Sequence, residues 1–323
     1  MPSGELAGEL AAIASAALWA FSSLAMAGVS RRMPAIAVSA LRLVFGVIFY
    51  VVLLLATGQT GDLLRLSPAT ALALGASAIL SLGFGDTLYI YGMQAIGVSR
   101  ASPISVTSYP VLTLALAWAL LSETVSLRTA MGTALVLGGI VLIVARPGGA
   151  AAVPEVAEVE PLCTHTVSGA AAPVQLAQRR QQGVSAAGLA LVLIAAVAWA
   201  LSTVWLQTLT ADASLLVVNS VRVPVALLLI GGVAWNRGLL RPRSYRRQDL
   251  ALLGAAGLVG SGLGSLLYVY ALKEAGAGRS ALLNSLSPLF ALPLAAIYLR
   301  ESLTRLTMAG TALALGGLWL VIG

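Results

Sequence analysis

The stretch GTALVLGG at 132–139 returns as GTALALGG at 310–317, 178 residues later. The echo runs outward from this octet. Trp19-Ala20-Phe21-Ser22 answers to Trp199-Ala200-Leu201-Ser202 and Arg42 to Arg222, both at a spacing of 180. Gly83, Gly85, Tyr89 and Tyr91 answer to Gly262, Gly264, Tyr268 and Tyr270 at 179, and Pro110 and Glu123 to Pro288 and Glu301 at 178. Two copies of one unit, separated in register by two small deletions, therefore run from about residue 7 to 146 and from about 186 to the end. A period this long is neither a solenoid repeat nor a propeller blade, and in an apolar chain it points to an internally duplicated membrane transporter.

Composition identifies the solvent. Hydrophobic residues make up 59% of the chain and charged residues 10%, against the ~25% charged of a soluble domain. Apolar runs near the ~20 residues that cross a ~30 Å hydrocarbon core recur throughout. Read through Arg42, Asp86 and Arg222, they predict five helices per copy, near 7–28, 34–56, 68–95, 101–121 and 129–146, then 186–208, 214–235, 249–273, 280–299 and 305–322. Helices satisfy every backbone polar group within the bilayer, and the alternating pattern of an outer-membrane barrel is absent. The expected fold is an all-α polytopic membrane protein with ten transmembrane helices in two inverted five-helix repeats, 1–146 and 186–323, joined by a flexible linker over 147–185.

The inversion follows from arithmetic and from charge. Five spans per copy send the second copy into the membrane from the opposite side. The connection after the first helix carries Arg31 and Arg32, whereas its equivalent carries Ala211 and Asp212; the connection after the second carries Arg65, whereas its equivalent bears Arg237, Arg241, Arg243, Arg246 and Arg247. The bias changes sign between copies, as the positive-inside rule demands of an inverted duplication. Connections on one face hold 13 of the 19 Lys/Arg and those on the other hold four, which places the linker in the cytoplasm and both termini outside.

The net charge of +7 is thus a topology signal and not a nucleic-acid footprint, which would need a basic soluble surface with aromatic platforms. The N-terminal residues lack a basic n-region, so the first apolar run is expected to stay as a span. Cys163 and His165 are each alone, and both fall in the Ala-, Pro- and Gln-bearing linker, so neither a cysteine metal cluster nor a disulfide is expected. No cofactor is called for.

The order of motifs resembles a known family. Tyr89-x-Tyr91 closing the third helix, the Gly97-x-x-Arg100-Ala101 turn, Ser108-x-Pro110 in the fourth helix, Leu121-x-Glu123 and the glycine-rich fifth helix are similar to the drug/metabolite transporter superfamily, EamA type, and the second copy repeats the pattern at Gly276, Arg279, Ser287, Pro288, Glu301, Gly310, Gly316 and Gly317. The resemblance implies ten helices in two inverted repeats around a central cavity lined mainly by the first, third and fourth helices of each repeat. It also implies export of metabolites such as amino acids.

Candidate lining residues follow from polarity inside apolar spans. Asp86 stands where the other copy has Ser265, so the scaffold does not require a carboxylate there; an intramembrane Asp normally faces a wet cavity or a partner. Its role is either an ion pair with Arg42 or a contact with a substrate ammonium or coupled proton, and the lack of a second-copy Asp leaves at most one buried carboxylate for coupling. Trp19, Ser22, Tyr89, Ser102, Ser105, Tyr109, Trp199, Ser202, Tyr268 and Asn284 complete the candidate substrate-binding set. Each hydroxyl equally suits interhelical bonding. Repetition of Arg42 and Arg222 favours a scaffold role, Glu123 and Glu301 are expected to pair with Arg128 and Arg305, and the spacing of Gly132, Gly139, Gly310 and Gly317 suits close helix packing.

Three classes of function remain open at this stage. A secondary transporter in the plasma or inner membrane, moving a small-molecule substrate by alternating access, is the reading best matched by the inverted repeat. A lipid-modifying membrane enzyme would need a concentrated catalytic set, which the spans lack. A sensory or assembly module would usually add a soluble domain. Without a Walker motif, ATP-driven transport by this chain alone is not expected; proton coupling and facilitated export both stay open.

Overall fold

Each copy folds into the same succession of helices. The computed structural model describes residues 3–30, 33–96, 98–144, 186–210, 213–240, 245–287, 289–290 and 305–322. The first copy contributes α1 (Ser3–Ser30), α2 (Ala35–Thr57), the short α3 (Thr60–Leu64), α4 (Pro68–Ala78), α5 (Asp86–Ile96), α6 (Val98–Leu121) and α7 (Leu127–Val144). The second contributes α8 (Ala186–Leu209), α9 (Leu215–Asn236), α10 (Arg247–Ala256), α11 (Ser265–Ala275), α12 (Ala277–Asn284) and α13 (Arg305–Ile322). No strand occurs among the described residues. Among the described residues seven helical stretches are long and apolar enough to span a bilayer, and Leu127–Leu142 and Met308–Val321 are shorter apolar helices. Of the expected span 280–299 only the first part is described, and the linker 147–185 lies outside the described residues.

Local chemistry sets the boundaries. Ser67 caps α4 by accepting the Thr70 amide, with Pro68 at the first helical position, and Ser214 does the same for α9 through the Val217 amide. Gly58 closes α2 in the left-handed conformation, φ 69°. Gly276, at φ 83°, makes the turn between α11 and α12.

Two irregularities were not expected from the sequence. The third span of each copy is α-helical at both ends and π-helical in its middle, over Ile79–Gly85 and Gly257–Gly264. The two π segments occupy equivalent positions, so they belong to the repeated unit. Widening the winding releases carbonyls from the usual ladder, and the neighbouring copy uses them, as described below.

The copies interlock reciprocally. α1 packs along α11 and the second π segment, and α8 packs along α5 and the first; α2 lies against α9, and α7 against α13. In the last pair a Cβ on Gly132 would press on the Gly317 carbonyl, 2.7 Å away, and one on Gly139 on the Gly310 carbonyl, 2.5 Å away. Gly132 is equivalent to Gly310, and Gly139 to Gly317, so the paired helices run antiparallel. A two-fold relation between antiparallel equivalent helices has its axis across the helices, hence in the membrane plane, and the repeats are inverted. The glycines permit the close approach, as expected. Large apolar side chains such as Leu55, Trp118, Leu228, Trp235 and Trp319 remain exposed on the outside, the surface that lipid covers.

Candidate functional site

The site begins with two tryptophans. Trp19 on α1 donates its indole N–H to the Gly260 carbonyl at 3.0 Å; Trp199 on α8 donates to the Ser81 carbonyl at 3.2 Å. Gly260 and Ser81 are equivalent positions inside the two π segments. Three residues on, Ser22 donates to the Ala256 carbonyl at 3.0 Å and Ser202 to the Ser77 carbonyl at 2.8 Å, again equivalent acceptors. Gly85 and Gly264 leave room for this: a Cβ there would lie 2.6 Å and 2.9 Å from the indole nitrogens of Trp199 and Trp19. The repeated Gly-x-Gly and the repeated Trp are thus two halves of one contact, each made between copies.

The indoles then stack on tyrosines. Trp19 meets Tyr268 and Trp199 meets Tyr89, both with ring centroids 5.4 Å apart. Tyr109 on α6 stands edge-on to Trp199 at 6.3 Å. Its hydroxyl lies 2.5 Å from that of Tyr268 and 2.9 Å from that of Thr203. Tyr109 has Ser287 as its counterpart, so here the symmetry breaks. Five aromatic side chains from α1, α5, α6, α8 and α11 therefore converge at the boundary between the repeats, and the sequence reading had singled out all five.

Polar groups frame this cluster. Arg222 on α9 is buried, with 9% of its surface exposed. It donates from Nε to the Ser77 hydroxyl at 3.2 Å and from Nη2 to the Ser81 hydroxyl at 3.3 Å. Asn284 on α12 is also buried, and its Oδ1 has no hydrogen-bond partner among the described residues. It lies seven residues from Ala277 and so on nearly the same helix face; Ala277 packs in one cluster with Ala117, Val204, Leu206 and Tyr268. Ser105 is buried on α6. Asp86 opens α5, but its side chain, like that of Ser102, lies outside what the structure describes, and so does Glu301.

Two expectations about charge are corrected. Glu123 does not serve a local pair with Arg128. Its Oε1 accepts the Ala277 amide at 2.8 Å and its Oε2 the Gly278 amide at 3.2 Å, while Gln207 also accepts from Ala277 at 2.7 Å. Glu123 thus caps a helix of the other copy, where exposed amides at the first turn favour an anion; Arg128 instead sits over the Trp319 ring at 5.6 Å. Asp86 is also not the sole candidate for a buried carboxylate: Glu9 is fully buried and Asp249 nearly so. Glu9 and Glu5 both bond Arg279, and the Glu9 Oε2 lacks a partner among the described residues. Glu9 escaped notice because it sits at the edge of an apolar run, where a charge reads as a helix end. Among the described residues no group of three His, Cys, Asp or Glu is placed to hold a metal ion.

The EamA-like transporter family matches this chain over residues 6–145 and 186–323, one match per repeat. The chain belongs to the EamA-like transporter family. It is 27% identical over 308 residues to an uncharacterized transporter of Archaeoglobus fulgidus, across 93% of this chain and 92% of that one. A crystal structure with 18% identity superposes with a TM-score of 0.71 over 97% of this chain and 95% of the other, which is a likeness of fold. The protein is therefore a multi-pass membrane transporter and not an enzyme, with a small-molecule substrate and a lipid bilayer as its surroundings.

Proposed function

We propose that this EamA-like transporter moves small amphipathic metabolites, amino acids foremost, outward across the plasma or inner membrane by alternating access of its two repeats. The observation that carries the reading is the aromatic cluster at the repeat boundary. Trp19, Tyr268, Trp199, Tyr89 and Tyr109 bring flat apolar surface and hydroxyls to the place where the two copies meet. Asn284 adds an acceptor that no group among the described residues uses. Such a mixture suits a ligand with an apolar side chain and a few polar atoms, and aromatic faces also attract an ammonium. Ser22 and Ser202 contribute by holding α1 to the end of α10 and α8 to the end of α4, while Ser102, Ser105 and Asp86 extend the candidate lining along α5 and α6. Asp86 is the residue assigned to a substrate ammonium or a coupled proton.

Because each Trp–Tyr stack joins one repeat to the other, Trp19 to Tyr268 and Trp199 to Tyr89, motion of one repeat against the other acts on both stacks at once. Alternating access needs such a divided site. Purified protein in liposomes, offered a panel of amino acids and other metabolites with and without a pH gradient, tests substrate and coupling together. Flux of amino acids that saturates and falls in a Trp199→Ala variant is the expected result. Absence of flux for every metabolite offered would refute the proposal.

A further inference from the structure

Arg222 is seated as a ligand-binding cation. Its Nε and Nη2 reach the hydroxyls of Ser77 and Ser81, and among the described residues no carboxylate lies within ion-pair distance of it. A charge buried in a membrane span is normally paired or faces a pathway. The two serines do not neutralise it. Ser77 passes its proton to the Leu74 carbonyl and Ser81 to the Ser77 carbonyl, at 2.8 Å and 2.9 Å, so each presents only lone pairs to the guanidinium. A guanidinium has five N–H donors in a rigid fork; two are spent, and Nη1 bonds nothing in the protein among the described residues.

The seat is peculiar to one half of the molecule. Arg42 repeats Arg222, but the positions equivalent to Ser77 and Ser81 are Ala256 and Gly260. A purely structural arginine in a duplicated scaffold would keep the same seat in both halves. The seat also joins the aromatic cluster. The Ser81 carbonyl accepts the Trp199 indole.

We propose that Arg222, oriented by Ser77 and Ser81, binds an anionic carboxylate of the transported molecule through its free N–H groups. This deepens the transport reading and rests on it for the word substrate: a zwitterion would place its carboxylate here and its apolar side chain among Trp199, Tyr89 and Tyr109. The fork matches a carboxylate in a bidentate manner that an ammonium on a flexible stem does not.

Thermal melting of the purified protein tests it without measuring flux. The probes are phenylacetate and L-phenylalanine against phenylacetamide and L-phenylalaninamide, which differ in the carboxylate. The carboxylates are expected to raise the melting temperature and the amides not. Arg222→Met, which keeps volume and removes charge, should melt at or above the parent temperature, because no carboxylate among the described residues pairs with that charge, and should lose the response to carboxylates. Arg222→Lys should fold like the parent and require at least about tenfold more carboxylate for the same shift. Equal responses to acids and amides, no response to either acid, or an Arg222→Met protein that unfolds well below the parent would each overturn the proposal. Flux of a neutral metabolite alongside a flat carboxylate response would leave the transport reading standing and remove this one.

Discussion

Tyr109 and Tyr268 allow the binding site to be told apart from scaffolding by magnitude. Tyr109→Phe removes one oxygen that bonds both Tyr268, at 2.5 Å, and Thr203, at 2.9 Å; Tyr268→Phe removes only the first of these bonds. Interhelical hydrogen bonds in a bilayer contribute on average ~0.6 kcal/mol and at most ~1.7. Tyr109→Phe should therefore cost about 1 kcal/mol and Tyr268→Phe about half of that. At about 2–4 °C per kcal/mol, the melting temperature should fall only a few degrees. If the Tyr109 hydroxyl also touches the substrate, transport per folded molecule should fall about tenfold, since ~1.4 kcal/mol lost from the transport barrier is one decade. Melting curves and initial flux rates from the same preparations give both numbers. A stability loss well above ~3 kcal/mol with flux per folded molecule unchanged would show that the hydroxyl cluster is structural and refute the reasoning.

Four further outcomes are expected. Gly139→Ala puts a methyl 2.5 Å from the Gly310 carbonyl and 2.6 Å from the Ala314 amide nitrogen, neither of which yields, so about 1–3 kcal/mol should be lost. Gly316→Ala, with nothing within 4 Å, should be neutral or stabilising by up to about 1 kcal/mol; comparing the two melting temperatures checks the antiparallel contact of α7 with α13. Glu123→Ala leaves the Gly278 amide uncapped while Gln207 still serves Ala277, and should cost about 0.5–2 kcal/mol with Glu123→Gln retaining most of the stability. Asp86→Asn should lower transport at least about tenfold with stability near the parent; rescue of both folding and flux by adding Arg42→Gln would instead make Asp86 a structural counter-ion. Alkaline phosphatase fused after residue 323 should be active, and an inactive fusion beside an active cytoplasmic reporter would reverse the topology.

What could be read from the chain depended on whether a feature repeats. The octet at 132–139 and 310–317, the paired tryptophans and the Gly-x-Gly pairs are visible because duplication prints each constraint twice. That gave the helix succession, the inversion and four of the five candidate aromatic residues, while Tyr109, opposite Ser287, is legible only as a polar group inside an apolar span. Residues that break the repeat are harder to read. Asp86 against Ser265 stands out because a charge replaces a hydroxyl in a span. Ser77 and Ser81 against Ala256 and Gly260 do not, because swaps among small residues are common in apolar helices.

By itself the sequence determined the solvent, the number of copies and their relative direction, since hydropathy, loop charge and an odd span count are sums over local composition. It also singled out Trp19, Trp199, Tyr89, Tyr109 and Tyr268 as candidate lining residues. The tertiary structure alone decided their partners. Trp19 bonds Gly260 across 241 residues, Ser202 bonds Ser77 across 125, and Glu123 caps Ala277 across 154. No local pattern encodes those distances. The bonding of Trp19 and Trp199 to the π segments, the burial of Glu9 and the seat of Arg222, with no carboxylate beside it among the described residues, arise only when one repeat packs on the other. A buried polar group's cost depends on which neighbour the fold brings to it.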